Sequence, residues 1–185
     1  MGKVILDMSM SLDGYIATAD GKDGGLNDWY FSPPEKSKAI VDEMMRDLGV
    51  IIMGRKTFDE GDAHNAFDDS PFKIPHFILT HRPRETKDSN GSSYTFVTDG
   101  IESALKQAQA VVKDGFYIAI GGGARVAQQY LEAGLVDEIQ IHQVHVLFGS
   151  GVRLFGDSGM EATPLERVRV IDSRGVTHLK YRIVK

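Results

Sequence analysis

Apolar and polar positions recur with two different periods along this chain, and the changes of period mark out its elements. From Lys3 to Ser11 the period is two. Val4, Leu6, Met8 and Met10 lie on one face and Ile5, Asp7, Ser9 and Ser11 on the other, which predicts a strand. The glycine- and aspartate-rich stretch from Ala19 to Asp28 reads as a loop. Ser32-Pro33-Pro34-Glu35 has the form of a capping box with proline at the first helical position. Ile40, Val41, Met44, Met45 and Leu48 follow at helical spacing, with both methionines expected in the core, and Gly49 is read as the helix stop.

Val50 to Met53 is a short apolar strand ended by Gly54, and Asp59 to Pro75 reads as irregular and acidic, with Asp62, Asp68 and Asp69 as solvated charges. Phe77 to Leu79 and Tyr94 to Val97 predict two more strands. Asp99 to Glu102 has a second capping-box pattern, opening a helix with Ile101, Leu105, Ala108 and Val112 on one face. Phe116 to Ile120 is a strand that runs into three glycines. Val126, Ala127, Tyr130 and Leu131 mark the next helix, stopped by Gly134. Glu138 to Leu147 is a long strand whose apolar parity changes between Ile141 and Val144, which predicts a bulge. Val168 to Ile171 and Val176 to Ile183 form a final hairpin around Arg174-Gly175. Alternating strands and helices with short apolar strands imply an α/β fold: a mostly parallel sheet covered on both faces, with antiparallel strands at the C-terminal end.

Composition narrows the classes. The chain has 185 residues, which suits a single domain over 1–185 that buries roughly 70% of its unfolded surface. Without cysteine it has no disulfide framework, thiolate metal site or cysteine nucleophile. The N-terminal run Met1 to Asp7 is too short for a signal peptide, and no stretch approaches the ~18 apolar residues of a membrane span. The expectation is a cytoplasmic protein with no membrane partner. A formal charge of −5 argues against nucleic acid, whose phosphates need a net basic face.

Ligands of parallel sheets sit beyond the carboxyl ends of the strands, so three strand ends carry the candidate chemistry. Gly54-Arg55-Lys56-Thr57 offers close backbone approach, two cations and a hydroxyl. Thr80-His81-Arg82 again places a hydroxyl and a cation at a strand end. Gly121-Gly122-Gly123-Ala124-Arg125-Val126 lies between strand and helix, where a pyrophosphate can reach free amides and the positive end of the helix dipole. It is neither a Rossmann fingerprint, since Val126 occupies the third glycine position, nor a P-loop, since no Lys-Ser/Thr pair follows. Taken singly each has a bland reading, as a solvated turn or tight helix–sheet packing. Together they suit one polyphosphate ligand with cations to spare, which favours a 2′-phosphate and hence NADP over NAD.

These features resemble the dihydrofolate reductase superfamily. They are closest to its branch that holds the reductase domain of the riboflavin-biosynthesis deaminase-reductases and their stand-alone relatives. The resemblance rests on Ser11-Leu12-Asp13-Gly14-Tyr15-Ile16-Ala17, on Met53 to Thr57, and on Ile120 to Gly123. Gly134 to Glu138 and Leu147-Phe148-Gly149-Ser150-Gly151 also match, in family order from about Val4 to Phe155. It implies a dihydrofolate reductase-like three-layer sandwich that binds NADPH. Ser9, Ile16 and Ala17 would lie near the nicotinamide. Gly54, Arg55, Lys56 and Thr57 would hold phosphate, and Thr80, His81 and Arg82 would face the adenosine phosphate. Gly122, Gly123, Ala124, Arg125 and Val126 would meet the pyrophosphate. The chain departs from the family in lacking the cysteines of the zinc deaminase domain found in bifunctional members. It also carries Gly121 where riboflavin reductases tend to place an acid.

A reductase needs a proton as well as a hydride. Asp7, mid-strand in an apolar run, is the catalytic and substrate-binding candidate; otherwise it is a carboxylate tied to nearby backbone. Trp29, the only tryptophan, either covers a substrate or nicotinamide ring or staples the helix start. Glu35 is either a substrate ligand or a capping residue. His142 and His145 point to opposite faces of a strand, so no metal is expected there. The implied activity is hydride transfer to a small heterocycle, aminouracil-like or pterin-like. The rival readings are a non-catalytic NADP-binding module on the same fold and, with less support, a phosphate-binding hydrolase or transferase. The late strands offer an edge through which two copies could pair as a homodimer.

Overall fold

The computed structural model describes residues 2–67, 70–156 and 162–185; Asp68 and Asp69 lie outside them. The chain opens with β1 (Val4–Ser11) and the short β2 (Tyr15–Ala17), then a loop, the one-turn helix α1 (Asp28–Phe31) and α2 (Glu35–Asp47). β3 (Leu48–Gly54) runs directly into α3 (Arg55–Ala63). β4 (Pro75–Leu79) precedes the hairpin of β5 (Lys87–Ser89) and β6 (Ser92–Val97). There follow α4 (Ile101–Val111), β7 (Tyr117–Ile120), α5 (Ala124–Glu132) and β8 (Glu138–Val144). β9 (Val152–Arg153), β10 (Leu165–Ser173) and β11 (Val176–Ile183) complete the described elements.

Among the described residues one nine-stranded sheet has the order β10-β11-β8-β1-β7-β3-β4-β6-β5, and β2 pairs separately with β9. Every neighbour from β8 to β6 runs parallel, while β11, β10 and β5 are antiparallel. One face carries Leu6, Val50, Ile52, Ile118 and Ile120 against Ala104, Ala108, Ala127 and Tyr130 of α4 and α5. On the other face Trp29 and Ile40 of α1 and α2 pack on Val176, and Phe58 of α3 packs on Met53, Ile78 and Tyr94. Helices on both faces explain why the central strands are apolar at nearly every position. No described helix is long and apolar enough to cross a membrane.

Several local expectations give way to packing. Neither capping box forms: α2 starts after Pro34 and α4 after Gly100, and neither has a side-chain cap, so Ser32, Glu35 and Asp99 do not close their helices. Gly49 is not a helix stop. Leu48 and Gly49 already belong to β3, and a Cβ on Gly49 would lie 2.7 Å from Phe116 Cβ, so glycine is there for close packing. Arg55 to Ala63 is helical rather than a turn followed by irregular chain. β8 ends at Val144 and pairs with β1 and β11 without a register shift, so the predicted bulge is absent there. The parity change instead reflects burial on both faces, since Ile139 and Ile141 join the α4/α5 core while Val144 packs with Trp29 and Ile40. Met45 is exposed, whereas Met44 packs beside Trp29. Asp62 is paired with Lys87 and Arg84 rather than merely solvated. At Gly134 the helix stop forms as expected. Gly134 has φ +65°, its N–H donates to the Leu131 carbonyl, and the Leu135 N–H donates to the Tyr130 carbonyl, which makes a Schellman motif.

Candidate active site

Strand register locates the site. Leu6 pairs with Ile120, and Ile120 with Ile52, which brings β7 to its end. β1 continues beside β8 as far as Ser11 opposite Val144. Asp7 to Ser11 therefore border the ends of β7 and β3, where a parallel sheet receives its ligands.

At those ends two helices begin together. α3 is capped by Gly54 and α5 by Gly123 (φ +87°), with no side-chain cap and no acidic residue in either first turn. The Gly54 N–H donates to the Gly122 carbonyl at 3.1 Å. A Cβ on Gly122 would sit 2.5 Å from Thr57 Cγ2, and one on Gly54 would sit 3.2 Å from Val126 Cγ2. Glycine is what lets the two helix starts touch. Each start leaves backbone amides without intrahelical partners, and the aligned dipoles favour an anion. Ala124 and Val126 are buried, so toward such an anion they offer backbone rather than side chain, while Arg125 is exposed. Lys56 is exposed, and a Cβ on Gly21 would be 3.2 Å from its Nζ, so the loop after β2 reaches across to α3.

The other predicted cations are differently disposed. Arg55 Nε donates to Asp59 at 2.6 Å, and its guanidinium lies 5.6 Å from the Phe96 ring centroid. Thr80 closes a turn in which its hydroxyl accepts from the Arg82 N–H at 3.1 Å, leaving His81 and Arg82 exposed at the end of β4.

The first loop is clamped from behind. Asp13 accepts from Ser11 Oγ at 2.6 Å and from the Gly149 N–H at 2.7 Å, and the Phe148 N–H donates to the same carboxylate. These bonds hold the Asp13 carboxyl down to about 2. A Cβ on Gly151 would lie 2.1 Å from the Ala17 carbonyl oxygen. Ser11–Ala17 and Leu147–Gly151, far apart in sequence, thus form one unit that sets Ile16 and Ala17 at the strand ends.

Asp7 and Trp29 belong to one buried polar cluster on the α1/α2 face. Trp29 Nε1 donates to Ser9 Oγ at 3.0 Å, and its ring lies 4.3 Å from His142 and 4.8 Å from His178, centroid to centroid. Asp7 Oδ1 is 2.9 Å from His142 Nε2, and Gln140 Nε2 donates to Oδ2 at 3.2 Å. A carboxylate only accepts, so His142 Nε2 carries a hydrogen. His142 Nδ1 is 2.7 Å from His178 Nδ1, and His178 Nε2 is 2.8 Å from Ser37 Oγ. Burial, and then the neighbouring His142, hold His178 down to about 4. Burial and the Asp7 carboxylate push the Tyr117 hydroxyl up, so it stays protonated. Among the described residues Gln140 Oε1 is buried with no hydrogen-bond partner.

Glu35 stands apart from this cluster, on the solvent side of the first turn of α2. The sequence reading does not single out Ser37, Tyr117, Gln140, His142 or His178 as site residues. The available signal was parity: Gln140 and His142 are polar positions on a strand buried on both faces, directly opposite Asp7 and Ser9. Gly121 extends the same face beyond Ala119, and among the described residues a Cβ there would meet only Ile51 Cγ2, at 3.3 Å.

The RibD C-terminal domain family matches residues 2–179. The uncharacterized protein YyaP of Bacillus subtilis (strain 168) is 27% identical over 162 residues, covering 84% of this chain and 81% of that protein. A Shewanella sp. PV-4 protein named for riboflavin biosynthesis superposes with a TM-score of 0.74 at 26% identity, over 100% of both chains. Dihydrofolate reductase from Enterococcus faecalis, complexed with NADP(H), shares the fold at 16% identity and a TM-score of 0.63, covering 99% of this chain and 97% of that one. The architecture is thus dihydrofolate reductase-like.

Proposed function

The chain belongs to the RibD C-terminal domain family, and on that premise we propose that it is an NADPH-dependent reductase of a small nitrogen heterocycle, aminouracil-like or pterin-like. The observation that carries the reading is the contact between the starts of α3 and α5. Two helix N-termini without side-chain caps meet through Gly54, Gly122 and Gly123, so closely that a Cβ on Gly122 would strike the Thr57 side chain. That arrangement fits the pyrophosphate of a dinucleotide. The amides after Gly54 and Gly123 would hold it, with Thr57 beside them, and the exposed cations Lys56, Arg82 and Arg125 supply charge for a further phosphate. The fold shared with a dihydrofolate reductase complexed with NADP(H) adds support. When bound, NADPH supplies the hydride.

The protein's own part is to bind, orient and provide a proton. Asp7 and Ser9 stand where β1 outruns β7, and Gly121 leaves the neighbouring position without a side chain. A ring placed there can be read by the Asp7 carboxylate and protonated through it.

The test compares NADPH with NADH by thermal shift, then screens heterocycles for NADPH oxidation. At ~100-fold saturation NADPH should add about 2.7 kcal/mol of stability, and more than NADH does. Lys56→Ala should cost NADPH ~1.5–3 kcal/mol of affinity if a charge-assisted bond is lost. Equal shifts with both cofactors refute the 2′-phosphate assignment, and no shift with either refutes the reductase reading. Binding without turnover of any heterocycle would assign a non-catalytic NADP-binding module.

A further inference from the structure

We propose that Tyr30 and Phe72 are the two walls of the substrate site: they close over Asp7 in the free protein and take a flat, N–H-bearing ring between them. The inference deepens the reductase reading and rests on it for the reaction, whereas uptake of the ring is a property of the protein alone.

The need for a moving wall comes from Asp7. Its side chain is only 6% exposed, so a substrate reaches the carboxylate only after something shifts. Strand register gives what lies above it. Asp7 sits between Ile5 and Ser9 on one face of β1, and Ile5 pairs with Ala119 of β7. Phe72 packs against the cluster of Ile5, Leu48, Tyr117 and Ala119, on one side of Asp7. Tyr30 packs with Trp29, whose indole is fixed on Ser9, on the other side. The two side chains meet across that gap. Their ring centroids lie 6.1 Å apart, with the planes inclined by 22°. The contact thus spans the stretch of β1 that holds Asp7.

A pair of rings so nearly parallel suits a flat guest. Two face-to-face contacts of ~3.5 Å need a separation of ~7 Å, about 1 Å more than the rings show. A heteroaromatic plane fits that opening, whereas a puckered ring or branched chain needs a wider one. The walls are unequally held. The Phe72 carbonyl accepts from the buried Ser92 Oγ at 2.8 Å, and the Phe72 N–H donates to Ser70 Oγ at 3.3 Å, which ties this segment to β6. Tyr30 stands on the one-turn α1, which has no side-chain cap, and its neighbour Phe31 is 77% exposed. Tyr30 is therefore the wall that moves. The floor sets the chemistry of the guest's edge. A carboxylate accepts and does not donate. Asp7 receives His142 Nε2 on one oxygen and Gln140 Nε2 on the other, and each oxygen keeps a lone pair for a further donor. Gln140 Oε1, on the adjacent strand, is a second acceptor, buried with no partner among the described residues. Both call for N–H groups on the ring.

The test measures binding of pterin and of diaminouracil to the free protein by calorimetry, with no cofactor. Each probe is flat and carries N–H donors at its edge, and the native protein should bind at least one. Tyr30→Leu and Phe72→Leu keep apolar bulk but remove the flat wall. Each should weaken binding about three- to tenfold, the worth of an aromatic contact beyond its area. Tyr30→Phe, which keeps the ring, should restore most of what Tyr30→Leu loses. Melting temperatures should hold, which separates a wall of the site from a support of the fold; if Phe72→Leu melts early, the two Tyr30 variants carry the test. Native protein that binds neither probe, or folded Leu variants that bind as tightly as the native protein, overturns the proposal. Native protein that binds a probe through these rings but is not stabilised by NADPH upholds the walls and sinks only the reductase reading.

Discussion

Replacing Gly122 with alanine tests whether the starts of α3 and α5 are held as close as the site requires. The new Cβ would lie 2.5 Å from Thr57 Cγ2, 3.0 Å from Thr57 Cβ and 3.1 Å from Thr57 Oγ1. Those distances lie well inside the ~3.5–4.0 Å optimum for carbon pairs, and Thr57 sits in the first turn of α3, where a β-branched side chain has little rotamer freedom. The helix start itself must therefore move away from the Gly122 carbonyl that anchors it. Overpacking of this kind costs about 1–3 kcal/mol. Denaturant titration should show the loss as a lower midpoint at unchanged slope, and calorimetry should show weakened NADPH binding, because the amides of the two helices no longer converge. Thr57→Ala removes the obstructing atoms. In the double variant the cost of Gly122→Ala should largely vanish, giving a coupling of about 1 kcal/mol or more, as expected for residues in contact. A neutral Gly122→Ala, or strictly additive single variants, would refute the close contact and the cradle built on it.

Three further outcomes follow. Asp7→Asn should lower turnover by about 10²-fold or more with near-normal melting. Gln140 Oε1, buried and without a partner among the described residues, can accept from the amide introduced by that substitution once the Gln140 side chain turns over; unfolding of the variant would show Asp7 to be structural. Stability should fall as pH drops from 6.5 toward about 4, because His76 and His178 are both held near 4 in the folded protein and the unfolded chain takes up their protons first; denaturation midpoints against pH should flatten across that window in His76→Gln, and an unchanged slope would clear His76. We further propose a homodimer through β10, the edge strand of the sheet, which exposes Leu165, Val168 and Val170; light scattering should report a dimer that Val170→Lys converts to monomer, and a native monomer would refute it.

Much of the fold is legible because periodicity and glycine positions are local signals. β1, β3, β4, β6, β7, α4 and α5 all follow from apolar spacing and the residues that end it. What is lost has two causes. A capping box places the α2 start without regard to tertiary packing. Pro34 and the burial of Ser37 against His178 and Ser173 set where that helix begins, and Ser32 is left outside it. The β5–β6 hairpin escapes a reading based on apolar runs, although it carries a strong local signal: Asn90 and Gly91, with φ of 49° and 82°, adopt the left-handed pair that a tight hairpin needs.

The candidate site divides the same way. Its phosphate pole is readable, since glycines and cations in single loops announce a helix start open to an anion. Its proton-handling pole is only half readable, because it is assembled across the sheet. Asp7 draws attention as a carboxylate in an apolar strand, but His142 lies 135 positions away in the chain, and His178 a further 36. Weighing His142 against His145, its near neighbour in sequence, raises only a metal question that parity answers. Pairing β8 between β1 and β11 puts His142 opposite both Ser9 and His178 instead. The general lesson is physical. A polar residue on a strand covered on both faces cannot be left alone in the interior, so each one implies a partner on an adjacent strand. Here Asp7, Gln140, His142 and His178 are each such a residue, and strand order alone decides that they meet.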